Sequence, residues 1–151
     1  MPTTPQTQQP TTAESVHIFF MDGVGLGTAS HDANPFVRAH LPRLTALFGP
    51  DWYVQTNGRF PITTPRASLI ATDANLGLDG RPQSATGQAT ILTGRNVSAA
   101  VGEHYGPKPN PPVAAEIEKG TLFHEVVAAG GSAALLSPYP QGYFDAIASG
   151  K

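Results

Sequence analysis

Apolar patterning begins at residues 15 to 21, "SVHIFFM", a β-branched and aromatic run that halts at Asp22-Gly23. The run is too continuous for a strand with one wet face, so it predicts a central strand of a parallel sheet. Two further stretches have strand character, "ASLIATD" at 67 to 73 and "SAALLSPY" at 132 to 139, each followed by a loop containing Gly or Pro.

Helical spacing falls between these runs. Asn34 can cap a helix with Pro35 at its first position, and Pro42 interrupts any continuation, so two short helical pieces ending at Gly49 are expected. A helix is expected over 84 to 93. Another is expected over 121 to 129, where Leu122, Phe123, Val126 and Val127 share a face and Gly130 follows as a stop. "GPKPNPP", residues 106 to 112, carries four prolines and predicts an irregular excursion.

Strand and helix in alternation imply an α/β fold. A sheet of about three strands is thin for such a domain, and the final "QGYFDAIASGK" adds no strand to cover it, so the fold reads as incomplete. Residues 1 to 14, "MPTTPQTQQPTTAE", have too little apolar content to offset the entropy of ordering them and read as a disordered tail.

With 151 residues the chain fits one domain, able to bury roughly two-thirds of its unfolded surface. Its formal net charge of -2 comes from scattered residues without a Lys/Arg cluster, which excludes nucleic acid as a partner. No apolar run reaches the roughly 18 residues of a membrane helix, and the N-terminus lacks a secretory leader pattern. These features describe a cytoplasmic chain with no membrane partner. There is no cysteine, so any metal would be held by Asp, Glu, His or a hydroxyl.

Two stretches could carry chemistry. In "MDGVGLG", residues 21 to 27, Asp22 would project from the carboxyl end of the first strand, where open α/β sheets place ligands, and a carboxylate there suits a hard cation. The alternatives are a plain Asp-Gly turn and a dinucleotide-binding loop. Gly25, Gly27 and Ser30 give only G-x-G-x-x-S, and the leading aspartate would repel a pyrophosphate.

The second stretch is "RPQSATGQATILTGR", residues 81 to 95. Ser84 can be a helix N-cap, although its capping-box partner would be Gly87. It can equally be a nucleophile, because unpaired amides and the positive dipole end favour an alkoxide or bound phosphate there. Thr86 is the rival hydroxyl, but it is more hindered and turned away by about 200° on a helix begun at Ser84. The five histidines, His17, His31, His40, His104 and His124, form no His-x-x-x-His or Asp-His pair, so no compact metal cage is visible.

Asp-Gly after a first strand, followed about sixty residues later by a Ser-x-x-Gly helix start, resembles the metalloenzyme branch of the alkaline phosphatase superfamily. Cofactor-independent phosphoglycerate mutase and phosphopentomutase belong to that branch. "DGVGLG" is similar to its first metal-ligand motif, and "PQSATGQATILTGR" to its nucleophile helix, with Ser84 at the phosphate-accepting hydroxyl. Where the mutases carry His after the glycine this chain has Gln88, a departure that bears on substrate class.

The resemblance covers the front of the family's domain, over most of residues 15 to 151. It implies a three-layer α/β/α architecture with a mainly parallel sheet. It also implies two divalent ions, Mn, Mg or Zn, and a small phosphorylated substrate handled by a phosphatase or phosphomutase reaction. In that reading Asp22 and Ser84 are metal ligands and Ser84 is the nucleophile. The family draws its remaining ligands from a C-terminal half, so this chain holds at most one partial metal site, needs that half as partner and is inactive alone. Two other functions compete: a metal-free nucleotide- or phosphate-binding module, and a folded remnant without ligand chemistry.

Overall fold

The computed structural model describes residues 15–56, 58–136 and 140–149. The expected tail at 1 to 14 lies outside the described residues, as does the end of the third expected strand at 137 to 139. The chain divides into two compact units, Met1–Ile70 and Ala71–Lys151.

In the first unit Asn34 caps a 3-10 turn, Pro35–Val37, by accepting the Phe36 N–H, and helix α1 runs Pro42–Phe48. Gly49 then stops the chain at φ 85°. These are the two short pieces that Pro35, Pro42 and Gly49 foretell. Their apolar side chains meet in an aromatic cluster: Trp52, only 7% exposed, has its ring 5.4 Å from Phe36 and 6.4 Å from Phe48.

The unit's only sheet among the described residues is the antiparallel pair β1, Ile62–Thr63, and β2, Ser68–Leu69, with Ile62 opposite Leu69. Thr64 closes the connecting turn, its N–H donating to Ala67 O at 2.9 Å.

The second unit is helical. Helix α2, Ser84–Thr93, packs on α3, Val97–Val101, α4, Pro111–Glu118, and α5, Leu122–Ala128; α6 spans Gln141–Ala148. Ala85, Ala89, Val97 and Val113 form the core, with Val101, Tyr105 and Ile117 against it. Alanines on α2 allow close helix approach, and each buried valine contributes roughly 1.5–3 kcal/mol.

Glycine ends the first two of these helices. Gly94 at φ 66° returns its N–H to Thr90 O, and Gly102 at φ 85° returns its own to Ser98 O, satisfying last-turn carbonyls. Arg95 closes α4 from outside, its Nη2 donating to Glu116 O and, at 3.1 Å, to Gly120 O.

The expected three-layer α/β/α fold with a mainly parallel sheet is therefore corrected: the described residues form mostly helices and one short antiparallel hairpin. The run 15 to 21 is exposed coil: Val16 is 78% exposed and Phe19 87%. Of "ASLIATD" only Ser68–Leu69 is strand, and it is antiparallel; residues 132 to 136 are neither strand nor helix. A parallel strand exists only through backbone partners distant in sequence, and apolar patterning cannot supply them. The parallel pairing among the described residues is the isolated bridge Gly27 to Val54.

The proline-rich stretch is corrected in part. The irregular chain ends at Asn110, whose side chain accepts the Val113 N–H at 3.1 Å, and Pro111 opens α4. Proline fits a first helical turn because its missing N–H would have no intrahelical partner there. Among the described residues no helix is long and apolar enough to cross a membrane.

Candidate functional site

The first unit holds Asp22. It is exposed and begins a turn in which Gly23 takes φ 69°, the left-handed conformation that glycine enters without steric cost. Gly27, further along the same loop, has a packing role. A Cβ on Gly27 would stand 3.0 Å from Asn34 Nδ2, and Asn34, 4% exposed, donates from that nitrogen to Thr28 O at 2.8 Å. Gly27 also exchanges backbone bonds with Tyr53 O and Gln55 N–H. Close approach of chain to chain thus accounts for Gly27 without a nucleotide.

Nearby, the Tyr53 phenol is held above its ordinary value by desolvation, by its hydrogen bond to Asp51 and by the Asp51 charge.

The second unit holds Ser84. It is the first residue of α2, and the cap position falls on Gln83, which is extended at φ −126° and makes no side-chain cap bond. Ser84 is half-buried. A turn from further along the chain closes over this helix start: a Cβ on Gly106 would meet Ser84 N at 3.0 Å and Gln83 Cβ at 3.1 Å, so a side chain there would push the two segments apart by a small shift.

Thr86 is consumed by that same turn. It is fully buried, its N–H donates to Tyr105 O at 3.0 Å, and its Oγ1 accepts the Tyr105 N–H at 3.2 Å. A hydroxyl so enclosed has no approach for a substrate, and its place is structural. Sequence reasoning missed Tyr105 and Gly106, since contacts spanning about twenty residues leave no local signal.

His104 anchors the turn. Its Nε2 lies 3.2 Å from Leu78 O, which can only accept, so that nitrogen carries the hydrogen and Nδ1 accepts from the buried Ser98 hydroxyl at 3.3 Å. Both nitrogens are engaged within the protein. His124 serves a helix cap, and His17 lies exposed beside the Ser15 hydroxyl.

Among the described residues no group of three His, Asp or Glu side chains could hold a metal ion. Asp22 and Ser84 offer two oxygen donors in separate units, fewer than a divalent cation takes. The residues present do not complete a metal site, so no catalytic step through a metal is derived from them. No protein-family model, curated protein or solved structure matches the chain.

Proposed function

We propose that this chain is the front part of a divalent-metal-dependent phosphoryl-transfer enzyme, of phosphatase or phosphomutase type, acting in the cytoplasm on a small phosphorylated substrate. The supporting observation is the start of α2: Ser84 stands at its first position beside Gln83, while Thr86, the other hydroxyl of the motif, is sealed against Tyr105. The dipole of a ten-residue helix favours negative charge at this end.

In this reading Ser84 Oγ attacks phosphorus as its proton passes to solvent, and the ester oxygen departs and takes up a proton. The phosphoserine then passes its phosphoryl group to water or a second hydroxyl, whose proton goes to solvent as Ser84 Oγ regains one. Asp22 would offer a carboxylate to a cation in the complete protein, and Mn or Mg would suit oxygen-rich donors. The remaining donors for two ions come from outside residues 1 to 151. The resemblance of "DGVGLG" and "PQSATGQ" to the metalloenzyme branch of the alkaline phosphatase superfamily supports the same assignment.

The test is phosphate release from a phosphomonoester with Mn or Mg, comparing a protein that carries the further ligands with its Ser84→Ala variant. Turnover is expected to vanish, and full activity in the variant removes Ser84 from the reaction. Residues 1 to 151 alone are expected to be inactive; metal-dependent turnover by them overturns the need for outside ligands. Saturable, metal-independent nucleotide binding would favour a binding module instead.

A further inference from the structure

The start of α5 is closed by a reciprocal pair. Thr121 holds the cap position, and His124 holds the third helical position, where Glu or Gln ordinarily returns a side chain to the cap's backbone. Nδ1 of His124 accepts the Thr121 N–H at 3.1 Å and lies 3.1 Å from Thr121 Oγ1. A nitrogen that accepts a hydrogen bond is bare, so the neutral ring carries its hydrogen on Nε2.

We propose that proton uptake by His124 opens this cap and makes α5 a pH-sensitive latch, independent of the chemistry at Ser84. Both nitrogens of an imidazolium donate, so Nδ1–H would confront the Thr121 N–H, and a backbone amide cannot turn to accept. The hydroxyl of Thr121 can rotate, but the amide is left without its acceptor. The new positive charge also stands in the first turn, where the helix dipole is itself positive.

The surroundings offer little to offset this. The apolar groove beside the ring, formed with Phe123, Val127, Ala133 and Leu135, holds no titratable group besides His124. Helix α2, which packs against α5, has none between Ser84 and Thr93. On the Thr121 side stand Arg95, Lys119 and Glu125, and both cations are engaged with Glu116. Glu125 follows His124 directly in the first turn of α5.

A helix of seven residues has scarcely any stability of its own, so loss of its cap loosens Leu122 and Phe123, both half-buried. His124 itself is exposed and meets solvent protons freely.

The experiment is NMR on the isotope-labelled chain between about pH 8 and about pH 5, the interval across which an ordinary histidine changes charge. At the upper end the ring is expected in the Nε2–H form. On acidification the Thr121 amide shift and the exchange protection of α5 are expected to disappear together as the ring protonates. His124→Gln, whose Oε1 accepts throughout, is expected to keep both.

Equal loss of α5 in His124→Gln overturns the proposal, as does an α5 that stays protected after the ring is charged. Should the variant not fold, the unaltered chain still decides, because hydrogen on Nδ1 at the upper pH is incompatible with the cap.

Discussion

Thr86 donates through its backbone and accepts through its side chain at Tyr105, so one residue fastens the start of α2 to a turn about twenty residues away. Thr86→Val keeps the shape but takes the acceptor from the Tyr105 N–H in a partly buried setting. It is expected to cost about 1–3 kcal/mol in urea denaturation. Thr86→Ser keeps the bond and is expected to lose only about 1 kcal/mol for the missing methyl. Equal losses in the two variants would show that the hydroxyl contributes nothing.

A second residue-scale expectation concerns alkali. Tyr53 holds its phenolic proton above the ordinary 10.0, first through desolvation and then through Asp51. A raised value in the folded state means that its contribution is complete below the unfolded value and lost as pH rises through the folded one. Stability is therefore expected to fall in alkali, and Tyr53→Phe to lessen that fall in denaturation curves measured on either side of the phenol's titration.

At the scale of elements, short helices here depend on their ends. Asn110 caps α4 at the Val113 N–H, so Asn110→Ala is expected to cost about 1 kcal/mol, read as a lowered denaturation midpoint. The Asn110 end was not legible, because the prolines around it read as an irregular loop, but other ends were, where their signals are local. Asn34-Pro35, Pro42 and Gly49 mark the first helical pieces, and α2 spans the expected 84 to 93. The sheet was not legible, since "SVHIFFM" has the composition of a buried strand but its hydrogen-bond partners would have to come from elsewhere. At the candidate site the same divide holds: Ser84 is marked by its own motif, whereas Gly106 against Ser84 N is visible only in three dimensions.

At the scale of the molecule, burial is concentrated in the second unit, around Val97 and Val113, both fully buried. Val113→Ala is expected to lower unfolding stability by about 2 kcal/mol or more through lost burial and a cavity. Phe19→Ser, at a side chain 87% exposed, is expected to change it by less than about 0.5 kcal/mol. Thermal denaturation of the two variants checks both, and a large loss from Phe19→Ser would mean that this side chain contributes to folded-state packing.

The exposed run has one more consequence, in the cell rather than in the fold. Val16, Ile18, Phe19, Phe20 and Met21 stand open to solvent within six residues, a density of bare hydrocarbon typical of nascent chains. Holdase chaperones bind such stretches. The amount of this chain recovered in soluble form is thus expected to rise when a holdase is co-expressed, read as the soluble fraction, as well as with the strength of its core.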